Sequence, residues 1–157
     1  MSEQCPEPQA IAESIEQYLT FELAKQLYAV EVLSVQEIQV FQATTSIPNA
    51  PDFVLGVINL RGDIVPIIDL RQRFGIEPIQ QQQPTVTIIV TIKINQQTKK
   101  VGLVVDAVAE VHDILLSEQQ PVPSLTQANE QGFIKRLIHL NQQLVTLLDL
   151  PQIVAFD

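Results

Sequence analysis

The feature that most constrains the fold of this chain is a series of short, β-branched runs that end at turn residues. Seven of them follow one another from Tyr18 onward: YLTFELA, LYAVEV, FVLGVINL, DIVPIIDL, TVTIIVTIKI, KKVGLVVDAV and QLVTLLDL. Runs of this length and spacing are typical of an all-β barrel or sandwich. Helices are expected to be few and short, in LRQRFG (70–75), in GFIKRLIHL (132–140) and within residues 4–17.

Two of these stretches repeat in the same order. YAVEVLSVQEI (28–38) aligns without gaps on VGLVVDAVAEV (101–111), 73 positions later, and IVPIIDL (64–70) aligns on LVTLLDL (144–150), 80 positions later. Two matches in register and in order indicate two copies of one β unit. Each copy would bury too little surface to be stable alone, so we expect the copies to pack together with a groove at their edge.

The repeat suggests a division of the chain. We expect a tail or short helix at 1–16, a first subdomain at 17–79, a Gln/Pro linker at 80–84 and a second subdomain at 85–157. The linker assignment rests on the glutamine run between Pro78 and Pro84, whose polar composition cannot pack a core.

Charge and composition exclude several functions. The net charge is −9, and Lys25 is the only basic residue among the first 60, so general nucleic-acid binding and attraction to anionic lipid are not expected. Any basic contact surface should therefore lie after position 60, where Arg61, Arg71 and Arg73 form the main cluster. No apolar run approaches the ~20 residues that span a bilayer. With one cysteine, Cys5, and no signal-like N-terminus, we expect a cytoplasmic protein without direct membrane insertion.

The sequence offers little to support catalysis. His112, in a turn-like stretch, and His139, in an apolar run, lack partners at metal-ligand spacing, so we assign both structural or solvated roles and expect no metal or cofactor. Asp69 and Asp149 occupy equivalent places in the repeat, and we interpret both as caps or turn residues after a strand. A small-molecule-binding enzyme domain remains an alternative, which a turnover screen would detect.

Two further features concern the strand ends. Arg61-Gly62-Asp63 is expected to form a tight hairpin turn between GVINL and IVPIIDL, with glycine supplying the required backbone angle. Arg61 at that tip can contact a partner, or it can pair with a nearby acid such as Asp69. Pro66 has no backbone N–H and should lie at a strand edge or bulge, which can be protective or a docking edge.

Residues 56–75, GVINLRGDIVPIIDLRQRFG, closely resemble the most characteristic stretch of the CheW-like coupling proteins of bacterial chemotaxis. Residues 18–38, Ile47-Pro48, 51–53 and 101–111 match other parts of the family pattern, so the resemblance covers about residues 17–151. It implies two packed five-stranded SH3-like β-barrel subdomains with short helices. It also implies a non-enzymatic adaptor between a chemoreceptor cytoplasmic tip and a CheA-type histidine kinase, recruited to membrane-associated receptor arrays.

The resemblance also implies which residues contact a partner. The receptor-contacting positions of the family fall on the following residues here: Val35, Glu37, Ile38, Gly56, Arg61, Gly62 and Gly102. Kinase contacts are less motif-like and none is transferred. The alternative output for the same scaffold is a pilus- or gliding-motility chemosensory pathway, which the sequence does not distinguish.

Overall fold

The β-branched runs form two sheets in a computed structural model, which describes residues 15–76, 85–115, 119–121, 132–140 and 142–155. Within this part of the chain the strands are β1 (Ile15–Leu23), β2 (Gln26–Glu31), β3 (Val35–Val40), β4 (Val54–Leu60), β5 (Asp63–Asp69), β6 (Val86–Ile94), β7 (Gln97–Val105), β8 (Ala107–Leu115), β9 (Gln119–Gln120), β10 (Ile134–Leu140) and β11 (Gln143–Leu148). A 3-10 helix (Val32–Ser34) joins β2 to β3, and the one-turn helices α1 (Leu70–Arg73) and α2 (Leu150–Ile153) follow β5 and β11. The predicted all-β class is confirmed.

The sheets take their strands from both halves of the chain. Sheet A has the order β8-β1-β2-β11-β10-β9, and sheet B has the order β3-β6-β7-β5-β4. Sheet B has the five strands that were expected, and sheet A has a sixth because the two-residue β9 pairs with β10. β3 pairs with β6 of the second half, and β8 pairs with β1 of the first half, so each sheet contains strands from both halves of the chain.

Each sheet curls into a barrel of the SH3-like kind. In sheet B, Thr45 and Val57 exchange backbone hydrogen bonds of 2.9 Å, which ties the loop after β3 to the far strand β4. In sheet A, the side chain of Gln119 in β9 donates to the hydroxyl of Tyr18 in β1, 3.1 Å away. The first contact joins the two ends of the strand order of sheet B, and the second brings β9, at one end of sheet A, to β1, which is next to the other end. Both reduce the open edge of their sheet.

Strand register confirms the repeat. Ala29 pairs in parallel with Leu147, and the equivalent Gly102 pairs in parallel with Ile67. The pairings of β3 with β6 and of β8 with β1 carry an irregularity that begins at the same place in the repeat, directly after Val35 and after the equivalent Val108. The segments 28–38 and 101–111 are therefore equivalent in space as well as in sequence.

Among the described residues, buried aliphatic and aromatic side chains form three cores. One core lies in the sheet A barrel around Tyr18, Ile138 and Leu147, and another lies in the sheet B barrel around Ile67 and Ile89. The third and largest core includes residues of both sheets and joins them. Because the halves share this third core, neither barrel has to be stable by itself.

Local structure corrects three expectations. The helix expected within 4–17 is wrong at its described end, since Ile15–Gln17 belong to β1; residues 1–14 lie outside the described residues, as do 77–84 with the expected linker. GFIKRLIHL (132–140) forms strand β10 instead of a helix, and His112 lies in β8 opposite Tyr18 instead of in a turn. The short helix in LRQRFG is confirmed as α1.

Pro66 and the repeated aspartates behave as expected. Pro66 lies opposite Val57 in β5, and the pairing of β5 with β7 begins only at Ile67, so β5 is an edge at the proline on that side. Asp69 and Asp149 are the N-caps of α1 and α2, and their side chains accept hydrogen bonds from the backbone N–H groups of Arg71 and Gln152. Both interpretations are confirmed.

Candidate partner interface

The β4–β5 hairpin places Arg61 at the rim of the sheet B barrel. Leu60 pairs with Asp63, so Arg61 and Gly62 form a two-residue turn, with φ of 52° and 92°. Positive φ at both positions is the geometry of a type I′ turn, which glycine adopts without strain. The N–H of Gly62 also donates to Oδ1 of Asn59, at 2.9 Å. The predicted hairpin turn is confirmed.

Arg61 does not pair with Asp69; it pairs with Glu37 of β3. Nη1 of Arg61 lies 2.5 Å from Oε2 of Glu37, and Nη2 lies 3.3 Å from Oε1. The hydrogen bond from Arg61, and then that from Gln39, hold the pKa of the Glu37 carboxyl below its ordinary value. The Arg61 side chain nevertheless remains 71% exposed, so its guanidinium is oriented by Glu37 and still open to a partner.

Strand β3 separates the other predicted residues by face. The side chain of Glu37 lies beside the β4–β5 turn, whereas Val35 packs against the core that joins the two sheets. Ile38 is 45% exposed and Val40 is 72% exposed. The structure therefore brings Glu37 and Arg61 together. The exposed aliphatic side chains of Ile38 and Val40 lie along the opposite face of the same strand, and of these two only Ile38 was predicted.

Two of the predicted glycines are buried and shape the barrel. At Gly56, with φ of 144°, a Cβ would lie 2.3 Å from the carbonyl oxygen of Thr45, the residue that closes the barrel against β4. At Gly102, a Cβ would lie 2.4 Å from Cδ1 of Ile67. A side chain at either position would push β4 or β7 away from its neighbour, so both glycines are needed for the close packing of the sheet B barrel.

The remaining arginines of the expected basic cluster are used inside the fold. Arg71 donates to Asp106 from Nε at 2.8 Å and from Nη2 at 2.6 Å. Arg73 donates to the carbonyl of Ile153, and its guanidinium lies 4.3 and 4.7 Å from the ring centres of Phe53 and Phe133. Desolvation lowers the pKa of the Arg73 guanidinium. Arg61 is therefore the member of the cluster that faces outward.

Sequence reasoning missed the residues at the centre of the fold. Phe53 and Phe133 are equivalent in the repeat, and their carbonyls accept from the N–H groups of Asp69 and Asp149, both at 2.8 Å. Burial raises the pKa of Asp106, but hydrogen bonds from Arg71 and from the Ala24 N–H outweigh it, so the pKa lies below its ordinary value. For the two phenylalanines the signal is the repeat, which aligns them; for Asp106 the repeat gives none, because Leu33 stands at the equivalent position.

Comparisons with known proteins decide the family. A family model described as CheW-like domain matches residues 17–156. The chain belongs to the CheW-like family. Among its CheW-like relatives, the chemotaxis protein CheW of Klebsiella aerogenes is 34% identical over 142 residues, which cover 90% of this chain and 83% of the relative. CheW of Helicobacter pylori is 31% identical over 145 residues, covering 92% of this chain and 85% of the relative.

A solved CheW structure matches the architecture. The scaffolding protein TtCheW from Thermoanaerobacter tengcongensis superposes with a TM-score of 0.80 and 33% identity, covering 90% of this chain and 94% of that one. In the described parts of this CheW-like chain, no helix is long and apolar enough to cross a membrane. Across the same residues, no three His, Cys, Asp or Glu side chains are grouped to hold a metal ion.

Proposed function

We propose that this protein is a non-enzymatic coupling adaptor of a bacterial chemosensory pathway, which joins the cytoplasmic tip of a chemoreceptor to a CheA-type histidine kinase. The observation that carries the proposal is the family match over residues 17–156 together with the likeness to a CheW scaffold over 94% of its length. An adaptor of this kind acts in the cytoplasm and is recruited to receptor arrays at the membrane.

The receptor contact is centred on Glu37 and Arg61 at the barrel rim and extends along strand β3, an edge strand of sheet B, to Ile38. Arg61 offers a planar, two-pronged group that matches a carboxylate, and Glu37 holds it at the barrel rim. Ile38 and its neighbour Val40 add aliphatic surface that a helical partner can cover. Val35 and the three glycines Gly56, Gly62 and Gly102 support this surface from beneath by packing or by turn geometry.

The experiment compares Arg61→Glu, Glu37→Arg and the double charge swap. Each variant is titrated against a receptor-tip fragment and, separately, against a kinase regulatory fragment. We expect Arg61→Glu to weaken receptor binding at least about tenfold, with the melting temperature and kinase binding unchanged. Lys25→Glu is the matched control, because it reverses an exposed cation in the turn between β1 and β2 of the other sheet.

The double swap separates two roles for Arg61. If Arg61 contacts acidic groups of the receptor, restoring its ion pair in the opposite sense does not restore binding. If receptor binding is unchanged in Arg61→Glu, or if both partner affinities fall together with the melting temperature, the proposed receptor surface is refuted.

A further inference from the structure

The two places where the chain crosses between sheets are equivalent in the repeat, and one of them is closed by an ion pair. We call this one the closed junction; it lies at Asp106, between β7 and β8. Arg71 of α1 makes two hydrogen bonds to the Asp106 carboxylate, and the backbone N–H of Ala24 makes a third at 2.9 Å. The side chains of Arg71 and Asp106 are each only 18% exposed, so this junction is filled by the protein's own groups.

The second crossing, the open junction, lies between β2 and β3 and lacks that ion pair. By the register of the strands and the aligned sequences, Leu33 stands where the closed junction has Asp106, and Pro151 stands where it has Arg71. Neither side chain can form an ion pair. The two junctions therefore differ in chemistry: the acid and the base that form the ion pair of the closed junction are replaced by two apolar residues in the open junction.

A cavity of about 570 Å³ takes the place of the ion pair. Its walls include three aliphatic side chains that are almost fully buried: Ile92, Leu148 and Leu150. Leu33, at the edge of the cavity, is 96% exposed. A small molecule confined to the cavity would leave Leu33 in water, whereas a protein surface would cover the cavity and Leu33 together, which favours a protein as the occupant.

The rim of the cavity indicates the charge of that protein. Lys93 is exposed at the rim, and none of the ion pairs in the described residues involves it. Lys135, also at the rim, is 3.3 Å from Glu31 with both side chains about half exposed. Such a pair contributes little and can exchange partners. Two carboxylates also line the cavity: Glu31 is the partner of Lys135, and Asp149 caps α2 by accepting from the N–H of Gln152. Lys93 is therefore the charged side chain of this lining that neither an ion pair nor a cap engages among the described residues, and a cation beside an apolar cavity fits a carboxylate next to an apolar side chain.

We propose that the open junction binds a protein segment that inserts an apolar side chain into the cavity and places a carboxylate against Lys93. The surface is distinct from the Glu37–Arg61 pair, because neither of these two residues lines the cavity. That the segment belongs to a signalling partner rests on the proposed function; the existence and chemistry of the surface do not.

The test rebuilds the closed junction in the open one. The double variant Leu33→Asp/Pro151→Arg should form the missing ion pair, fill the cavity and keep the melting temperature of the wild type. The first probe is a synthetic helical peptide with leucines along one face and glutamates beside them, and its control has the same composition in scrambled order. We expect the peptide, but not its control, to shift the amide resonances of Leu33, Ile92 and Leu150 in the wild-type chain and not in the double variant.

The second measurement uses the receptor-tip and kinase fragments. We expect the double variant to lose at least about tenfold in affinity for one of them, while Leu144→Asp, which alters an exposed leucine elsewhere, binds as the wild type does. If the double variant unfolds, Lys93→Glu serves instead and should reduce peptide binding.

Three results would overturn the proposal. In the first, the peptide shifts no amide resonances, or it shifts resonances scattered over the surface. In the second, both fragments bind the wild type and the double variant with equal affinity. In the third, the wild type forms a concentration-dependent dimer that the double variant does not form, which would assign this face to a second copy of the chain. If the wild type binds neither fragment, the proposed function fails, and the peptide measurement still decides the inference.

Discussion

Gly102 provides a test of whether a residue of the family's contact pattern acts by packing or by touching a partner. In Gly102→Ala, the new Cβ would lie 2.4 Å from Cδ1 of Ile67 and 3.0 Å from Cγ2 of Thr87. Carbon atoms in contact are normally about 3.5–4.0 Å apart. Ile67 and Thr87 are 1% and 3% exposed, so neither side chain can turn outward to relieve the overlap.

The expected cost follows from that geometry. Overpacking a core position destabilises by about 1–3 kcal/mol. For a chain of this size each kcal/mol lowers the melting temperature by about 2–4 °C, so we expect Gly102→Ala to melt about 2–12 °C below the wild type. Ile67→Val removes the Cδ1 atom and costs about 0.5–1.5 kcal/mol alone. In the double variant the two costs should not add, because the valine makes room for the alanine.

Chemical denaturation of the wild type, both single variants and the double variant measures the coupling, and receptor binding is titrated on the same samples. We expect the double variant to be more stable than the sum of the two single costs predicts, by at least about 0.5 kcal/mol. Any receptor affinity that Gly102→Ala loses should return in the double variant. Additive costs, or an unchanged Gly102→Ala stability with lost receptor binding, would refute the packing role and make Gly102 a direct contact.

Three other predictions concern the junctions and caps. Asp106→Asn should destabilise by about 1–3 kcal/mol at neutral pH by weakening the contact with Arg71. Because the pKa of Asp106 is lowered on folding, its stabilisation is present above about pH 4 and is lost as the pH falls through the folded pKa; urea melts between about pH 2 and 7 should show a smaller acid-induced loss in the variant. Arg73→Lys should cost about 1 kcal/mol, seen as a lower melting temperature, since lysine cannot stack on two phenylalanine rings and donate to Ile153 as the guanidinium does. Asp149→Ala should cost about 0.5–2 kcal/mol in denaturant unfolding through loss of the α2 cap.

Much of the fold follows from the sequence because β patterns and repeats are local or periodic. The runs from Tyr18 onward predict strands, and the 28–38 and 101–111 match predicts equivalent elements, which the shared register confirms. GFIKRLIHL misled because a short apolar run does not distinguish helix from strand. This segment becomes a strand because it pairs with β11, the strand that follows it in the chain.

The site was less predictable because its contacts depend on the barrel closure. Arg61 had several acids within reach in sequence, and only the path of β3 shows that its partner is Glu37, 24 residues earlier. Arg71 and Arg73 looked like members of a basic surface, but α1 turns both of them inward against the other half of the chain. Strand exchange between the halves, which no local pattern encodes, determines these contacts.

As the proposed coupling adaptor, this protein should hold a receptor and a kinase at the same time. The direct measurement immobilises the receptor-tip fragment, saturates it with the adaptor and then adds the kinase regulatory fragment, with the mass of each retained protein quantified. We predict that the kinase fragment is retained only when the adaptor is present and that the adaptor stays bound, giving one complex of all three proteins. Release of the adaptor from the receptor in proportion to the kinase fragment added would contradict the account, because strict competition means one shared surface and no coupling.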